Sequence, residues 1–568
     1  MKDDISIVLC GEAGQGIQTV ENILTRILKL SGYNIFSTKE YMSRIRGGSN
    51  STEIRVSSKR VFAPTDKMDI LVPLSKGAIS HLEKRLSEET IILGEKELFG
   101  EECRGPWCDF IDIPFTKMAL ELGNRIYSNI IAVGAISAFF RVEIEVINDY
   151  LKQIFATKGE DIIKGNIEAA KIGYEAGIDL LNSGKIKVGV QKNAQLKDEI
   201  LLSGVEAVAL GAIAGGCNFV SFYPMSPSTG VSVFLAQHST EFDIIVEQAE
   251  DEISAINMGI GAWYAGARAM ASTSGGGFAL MVEGLSLAGM LENPIVIHLA
   301  QRPGPATGLP TRTEQADLLF ALHASHGEFP RILFAPGTIE DAFYLTQKAF
   351  NLADKYQIPV FVLTDQHLID SYYNIPSLDL SSLRVEKYIV ETGVDYKRYK
   401  LTEDGISPRG VPGFGVGLVS VDSDEHDEEG HITEDLDLRI KMVDKRLKKL
   451  ELIKDEVIPP ELVGDEDYKV LVIGWGSTYH VVKEALGKLG RDDLSFLHFK
   501  QVYPLHPDTS SYLERAEKTV IIENNATSQF GKLIKLYTDI DIKSKILKYN
   551  GLPFSVEEVI DNLKALLD

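Results

Sequence analysis

The sequence predicts an α/β protein: three α/β domains built on mainly parallel sheets. Three observations predict it. Short β-rich apolar runs alternate almost everywhere with stretches of helical period, the pattern of strand–helix–strand units. The 568 residues exceed what one hydrophobic core serves, at roughly 150 residues per domain. The alternation also fails once, between residues 376 and 466, where glycine and proline crowd from Gly405 to Gly417 and acids run from Asp422 to Glu429.

The first unit is a strand at Ile5–Cys10, a glycine turn at Gly11–Gly16 and a helix at Ile17–Leu30. The helix carries its apolar face on Ile17, Val20, Ile23, Leu24, Ile27 and Leu28. Strands follow at Asn34–Ser37, Asp69–Pro73 and Thr90–Leu93. Residues Asn129–Leu181 read as helical, interrupted at Gly165 and Gly173. The first domain is therefore placed at 1–184, with a polar linker at 185–197. A second domain, 198–375, holds the strand Asn218–Phe222, the turn Tyr223–Pro227, a helix near Asp251–Ala269 and strands at Pro294–Ala300 and Ile358–Thr364. An extended connector with a charged surface helix, Leu436–Glu456, occupies 376–466. The last domain, 467–568, returns to strand–helix–strand order with Lys469–Gly474, Tyr479–Leu489, Ser495–His498 and Thr519–Glu523.

Composition narrows the function. Eighty-one Asp and Glu against 58 Lys and Arg give a net charge of −23, which repels phosphate backbones and anionic lipid and excludes a nucleic-acid or membrane-surface role. No apolar run approaches the roughly 18 residues of a membrane span. The run Ile5–Cys10 is too short for a secretion signal, so residence in the cytoplasm is expected. The four cysteines, Cys10, Cys103, Cys108 and Cys217, do not suggest a disulfide framework. Cys103 and Cys108 could form half of a metal site or be isolated thiols; alone they do not hold an iron–sulfur cluster.

Several motifs are candidates for chemistry. Gly11, Gly14 and Gly16 form either a tight structural turn or a site where backbone N–H groups meet a phosphate. Arg44-Ile-Arg-Gly-Gly-Ser49 is either a solvated turn or an arginine pair aimed at an anion or a partner. In Tyr223-Pro-Met-Ser-Pro-Ser-Thr-Gly230, two prolines fix a turn at the carboxyl end of a strand, where open α/β sheets bind ligands. Glu247-Gln-Ala-Glu-Asp-Glu252 is expected to open a helix; Glu247, Glu250 and Asp251 are candidates for dipole partners. Glu252 adjoins the small residues Ala255, Gly259, Gly261, Ala262 and Gly266, and suits burial against something flat. Thr273-Ser-Gly-Gly-Gly-Phe278 reads as a second glycine turn. Gln301-Arg-Pro-Gly-Pro-Ala-Thr-Gly-Leu-Pro-Thr311 is an irregular loop after a strand, on which Arg302 suits a carboxylate. His426 and His431, beside the acidic run, could mark a metal, although a solvated charge run is the plainer reading.

The set Tyr223–Gly230, Glu250–Arg268, Thr273–Phe278 and Gln301–Asp317 resembles the pyrimidine-binding domain of the thiamine-diphosphate-dependent 2-oxoacid:ferredoxin oxidoreductases. Gly11–Gly16 with Arg46-Gly-Gly48 resembles that family's γ unit, fused here in front of α. Thr519–Gly531, containing Glu523-Asn-Asn-Ala-Thr-Ser-Gln529, resembles its carboxyl-terminal, transketolase-like domain. The resemblance implies that Glu252, nine residues before Gly261, bonds the pyrimidine ring of thiamine diphosphate. It implies that Tyr223 and Pro224 line the cofactor, that Arg302 holds the substrate carboxylate and that Thr311 lies beside the 2-oxo group. Ser226 stands where the family usually has threonine and is the third substrate residue.

The implied reaction is oxidative decarboxylation of a 2-oxoacid, with electrons leaving for ferredoxin and the acyl group passing to coenzyme A. The Ser-Pro-Ser-Thr-Gly turn points to 2-oxoglutarate over pyruvate. No Gly-Asp-Gly segment for Mg²⁺ and diphosphate occurs in the chain. In the family that segment and the [4Fe-4S] cysteines reside on a β subunit, so an (αβ)₂ assembly is expected. Two competing readings are a transketolase- or dehydrogenase-like thiamine subunit without ferredoxin, and a non-catalytic assembly scaffold.

Overall fold

The computed structural model describes residues 2–12, 14–42, 48–100 and 108–567. In chain order its first ten strands are β1 (Asp4–Glu12), β2 (Asn34–Glu40), β3 (Ser49–Ser57), β4 (Ile70–Pro73), β5 (Thr90–Gly94), β6 (Cys108–Asp112), β7 (Ile200–Ser203), β8 (Phe219–Phe222), β9 (Ile245–Gln248) and β10 (Ala269–Thr273). The next ten are β11 (Ile295–Gln301), β12 (Ile332–Phe334), β13 (Pro359–Asp365), β14 (Tyr372–Ile375), β15 (Glu461–Val463), β16 (Val470–Trp475), β17 (Leu494–Phe499), β18 (Gln501–Tyr503), β19 (Lys518–Glu523) and β20 (Ser544–Leu547). They build three sheets, and the chain divides into two compact units.

The first unit comprises Met1–Leu202 with Asp370–Ser377 and Ser555–Glu558. Its eight-stranded sheet has the order β6-β5-β4-β1-β3-β2-β14-β7. β1, β4, β5 and β6 run parallel, whereas β3 is antiparallel to both of its neighbours. The helix Ile17–Leu30 lies on this sheet as its apolar spacing requires. The helical stretch after it is three helices: Ser128–Phe139, Ile144–Ile154 and Glu160–Asn182. Gly165 and Gly173 do not interrupt the last of these. A Cβ on Gly173 would collide with the Ile131 carbonyl and one on Gly134 with the Ala170 carbonyl, so the glycines let two helices meet backbone to backbone. β3 escaped the sequence reading because Ser49-Asn-Ser-Thr-Glu-Ile-Arg-Val-Ser is polar. Its buried Arg55 reaches Asp4 at 2.5 Å and its Glu53 reaches Arg85 at 2.6 Å, which lets a charged strand sit inside a sheet.

The second unit comprises Ser203–Ile369, Leu378–Phe554 and Val559–Asp568. It holds a seven-stranded sheet, β18-β12-β13-β11-β10-β8-β9, and a five-stranded sheet, β15-β17-β16-β19-β20. In the larger sheet every pairing is parallel except that of β18; in the smaller, only β15 is antiparallel. The chain leaves β8 for edge strand β9, then crosses back over β8 to β10. The order reverses between β8 and β10, and at such a switch point the loops diverge to leave a crevice beyond the carboxyl ends of the strands. The smaller sheet has a corresponding point between β16 and β19.

Two expectations for 376–466 need correction. Leu436–Lys454 is a helix, but its charges are not all solvated: Lys445 and Lys449 are fully buried on the Glu292 carboxylate, Lys449 at 2.6 Å. The acidic run is likewise partly buried. Glu425 is forked by Arg446 at 2.8 and 3.0 Å, and His426, with no exposed surface, stacks on Tyr399 with ring centroids 3.7 Å apart. Among the described residues no group of three or more His, Cys, Asp or Glu side chains is placed to hold a metal ion, and no helix is long and apolar enough to cross a membrane.

Candidate active site

The loops following β9, β8, β10 and β11 leave adjacent parallel strands at the same edge of the sheet. Parallel register alone therefore gathers four sequence-distant segments: Glu252, Tyr223–Gly230, Ser274–Phe278 and Arg302–Thr311.

Glu247 lies in β9 and does not belong to the helix that it was expected to open. The helix is Glu252–Tyr264; Asp251 caps it, accepting the Ser254 N–H at 2.8 Å. Glu252 is its first residue and is 3% exposed. Thr273-Ser-Gly-Gly-Gly is not a turn: Gly275–Met290 is a helix whose first three residues are glycines. Glycine disfavours helices, but a first turn has free N–H groups and tolerates it better when a carboxylate needs the space. A Cβ on Gly277 would overlap Glu252 Oε1 and Thr273 Oγ1, and a Cβ on Gly275 would overlap the Asp317 carboxylate. A Cβ on the middle glycine, Gly276, would lie 3.8 Å from Met225 Sδ and 3.6 Å from the Ala306 carbonyl, at ordinary van der Waals contact.

Arg302, 8% exposed, reaches from the β11 loop to the β8 loop, where its Nη1 donates to the Ser226 carbonyl at 2.6 Å. Ser226 is half-buried, Thr311 is 8% exposed, and Tyr223 and Pro224 are exposed. The glycine–proline loop closes on itself through Leu309 N–H to the Pro303 carbonyl at 3.1 Å. Gly308, at φ 52°, has no room for a Cβ against that carbonyl.

Four buried atoms on these loops have no hydrogen-bond partner: Glu252 Oε1, Ser274 Oγ, Arg302 Nε and Asp317 Oδ2. Native proteins rarely leave buried polar atoms unpaired without a reason. Burial raises the Glu252 carboxyl above its ordinary pKa; its own backbone N–H opposes this, and Asp251 adds to it. Burial also pushes Asp317 up to about 6 against the pull of Arg302, and Glu314 up to about 7 with Asp317 adding. Asp317 and Glu314 were not singled out in the sequence because single acids beyond a proline loop carry no pattern. Their site is legible only once Gly275 is seen to yield space to one of them.

The Glu523–Gln529 motif has a different place. Gln315 enters the crevice between β16 and β19, and all its polar groups are bonded there. Its N–H meets the Asn524 carbonyl at 2.7 Å, its Oε1 the Asn524 N–H at 3.0 Å, its Nε2 the Trp475 carbonyl at 2.9 Å and its carbonyl Asn525 Nδ2 at 3.1 Å. Gln529 Nε2 bonds the Ala316 carbonyl at 2.6 Å. The loop carrying Arg302 and Thr311 is thus fastened to the five-stranded sheet.

Of the remaining candidates, Gly14 and Gly16 adopt φ 91° and 78° ahead of Ile17–Leu30, and the Gln15 carbonyl accepts Asn129 Nδ2 at 2.9 Å. Cys10 and Cys217 are buried free thiols. Arg44, Arg46 and Cys103 lie outside the described residues.

The chain matches two family models: residues 210–445 match "Pyruvate flavodoxin/ferredoxin oxidoreductase, thiamine diphosphate-binding" and residues 6–176 match "Pyruvate ferredoxin/flavodoxin oxidoreductase". The loop cluster therefore lies within a thiamine-diphosphate-binding domain of an oxidoreductase. The 2-oxoacid:ferredoxin oxidoreductase subunit alpha of Sulfolobus sp is 35% identical over 98% of this chain and 96% of its own. The 2-oxoglutarate synthase subunit KorA of Archaeoglobus fulgidus is 33% identical over 59% of this chain and 89% of its own. The solved 2-oxoglutarate:ferredoxin oxidoreductase of Magnetococcus marinus, with 2-oxoglutarate, coenzyme A and succinyl-CoA bound, superposes over all of both chains with a TM-score of 0.92 at 31% identity. This chain belongs to the 2-oxoacid:ferredoxin oxidoreductase family, as an alpha subunit.

Proposed function

We propose that this subunit, paired with a β subunit, converts a 2-oxoacid, coenzyme A and oxidised ferredoxin to acyl-CoA, CO₂ and reduced ferredoxin, with 2-oxoglutarate as the preferred acid. The observation that carries this reading is the buried, unpartnered Glu252 Oε1 over Gly277, in the same loop cluster as Arg302. An acceptor of this kind fits the protonated ring nitrogen of an aminopyrimidine. When bound, thiamine diphosphate supplies a carbanion that adds to the 2-oxo carbon and takes up the electrons of decarboxylation.

The chain's own residues do the rest. Glu252, with a raised pKa, holds or exchanges a proton at the ring nitrogen. Arg302, fixed at one end by the Ser226 carbonyl, directs its remaining donors at the substrate carboxylate. Thr311 stands beside the 2-oxo group, Ser226 borders the substrate, and Tyr223 and Pro224, exposed on the single chain, line the cofactor edge. Residues 1–184 act as the γ-like domain, 198–375 as the pyrimidine-binding domain and 467–568 as the carboxyl-terminal domain, joined through 185–197 and 376–466.

The chain lacks a Gly-Asp-Gly segment and a cluster-forming cysteine set, so Mg²⁺, the diphosphate and a [4Fe-4S] cluster fall to the β subunit of a cytoplasmic (αβ)₂ enzyme. The structural neighbour with 2-oxoglutarate and coenzyme A bound supports this choice of substrates.

Co-purification of the tagged chain with a cysteine-rich subunit, followed by initial rates on 2-oxoglutarate and pyruvate, tests the reading. Faster ferredoxin reduction with 2-oxoglutarate, dependent on coenzyme A, is expected. Turnover by the isolated chain, or a thiamine-dependent transfer that ignores ferredoxin, would refute it.

A further inference from the structure

The glycine- and proline-rich stretch of the connector has no part in the chemistry above. From Gly410 to Val421 it carries no charged residue, in a chain of which 24% is charged. Within it, Gly413-Phe-Gly-Val-Gly-Leu418 alternates glycine with large apolar residues. Close packing on one side accounts for the glycines. A Cβ on Gly415 would overlap the backbone of Thr392, and one on Gly417 would overlap the Gly393 carbonyl. The Val416 N–H donates to the Thr392 carbonyl at 2.9 Å, and the Thr392 N–H and Oγ1 both donate to the Phe414 carbonyl at 3.0 Å. The segment is thus pinned flush on its neighbour, and its large side chains are left in solvent. Phe414 is 48% exposed, Val416 80% and Leu418 78%, with Val394 beside them in the chain's fold at 83%. The flanking Val411 and Val419 are buried, so the row is held at both ends. Apolar side chains clustered in water in this way mark a surface that another molecule covers.

We infer that Phe414, Val416 and Leu418, with Val394, form a docking surface for the β subunit, at the far end of the helix that carries Glu252. The inference rests on the reading above that a β subunit completes the cofactor site.

Continuity with that site identifies the occupant. Tyr264, the last residue of the helix Glu252–Tyr264, donates its hydroxyl to the Val419 carbonyl at 2.8 Å, and a Cβ on Gly266 would meet Val411 at 3.4 Å. Between these two ends the helix exposes Ile253, Asn257 and Gly261, uncharged and spaced four apart along one ridge. An uncharged strip therefore starts at Glu252 and runs about 20 Å along the helix to the connector segment. A standard half-interface of about 800 Å² is roughly 30 Å across, and the helix covers most of that distance. A partner that reaches Glu252 to hold the cofactor's diphosphate thus extends to the connector within an ordinary footprint. The chemistry agrees: a neutral apolar row on a chain of charge −23 suits the apolar centre of a protein interface and offers nothing to a cationic partner.

The test co-expresses the tagged chain with the β subunit and reads the β content and the mass of the purified particle by light scattering. V416D/L418D, which puts two charges on the row, should cut the recovered β subunit by about tenfold or more. The variant chain should melt at the temperature of the unaltered chain expressed alone. V416I/L418M, which keeps the row apolar, should assemble fully; a loss equal to that of the charged pair would overturn the inference. A V416D/L418D chain that still recovers stoichiometric β subunit overturns it as well. So does one that keeps its β subunit but halves in mass, since the occupant would then be a second copy of this chain. Should V416D/L418D not fold, V394D is read in the same way, with intact assembly again the contrary result. Failure of the underlying reading shows separately, as an unaltered chain that purifies without a β subunit and turns over the 2-oxoacid alone.

Discussion

The second unit contains two crevices of the same origin, one left open and one filled from within the chain. Both lie at the carboxyl ends of parallel strands where the strand order reverses, between β8 and β10 and between β16 and β19. Each has a buried glutamate beside it. At the second, Glu523 accepts five hydrogen bonds: from Trp475 Nε1 at 3.2 Å, Asn525 Nδ2 at 2.8 Å, Ser528 Oγ at 2.9 Å, Phe530 N–H at 2.9 Å and Gly531 N–H at 3.0 Å. At the first, Glu252 keeps a buried oxygen with no partner. A carboxylate whose demand is met internally stabilises the fold, and one whose demand is unmet awaits a ligand. The fold offers two sites, and Gln315 closes one of them.

The contrast breaks most visibly in turnover. Glu252→Gln should lower kcat of the α–β complex by roughly 10² to 10⁴, the usual range for losing a positioned acid–base group. Assembly should be preserved, and the melting temperature should stay level or rise slightly, because an unpaired buried carboxyl no longer needs desolvation. An E252Q complex with normal turnover would remove the distinction between the two glutamates. Glu523→Gln should behave in the opposite way: stability falls by about 2–4 kcal/mol as buried donors lose their acceptor, read as a lower denaturation midpoint. Its surviving folded molecules should retain most of their activity.

Much of this was legible before the structure. The loops Tyr223–Gly230 and Gln301–Thr311 announce themselves because proline and glycine cannot continue a helix, and each follows a recognisable strand. Their convergence follows from parallel order alone. Other features were hidden for physical reasons. Thr273–Phe278 reads as a turn because three glycines disfavour a helix, and only the carboxylates of Glu252 and Asp317 explain why they begin one. The helix Leu436–Lys454 reads as solvated because no sequence pattern reveals that Lys445 and Lys449 meet Glu292, about 150 residues away. β3 stays unassigned in the sequence because its charges are satisfied by partners distant in sequence, and the latch of Gln315 on Asn524 joins residues 209 apart.

Two smaller effects sharpen the comparison. His298 lies inside the seven-stranded sheet between Ser272 Oγ and Thr364 Oγ1, each at 2.9 Å, and burial pushes its pKa down to about 3. The unfolded chain therefore takes up this proton first. The contribution is complete above about pH 6.5 and is lost as pH falls from there towards 3, at up to about 1.4 kcal/mol per pH unit. His298→Gln, whose amide can meet both hydroxyls, should flatten the pH dependence of the unfolding free energy by that slope; an unchanged slope would mean that the imidazole is already charged in the fold. Ser226→Thr restores a methyl but keeps the carbonyl that accepts Arg302. Only a few-fold change in KM is expected, under about 1 kcal/mol, and a change of tenfold or more would show that the side chain itself bears on the substrate.

The most direct measurement is the structure of the complex with thiamine diphosphate bound. A pyrimidine ring nitrogen within about 2.6–3.2 Å of Glu252 Oε1, with the diphosphate held by the partner subunit, is the result expected. A ring seated elsewhere, with Glu252 Oε1 still unpaired, would contradict it.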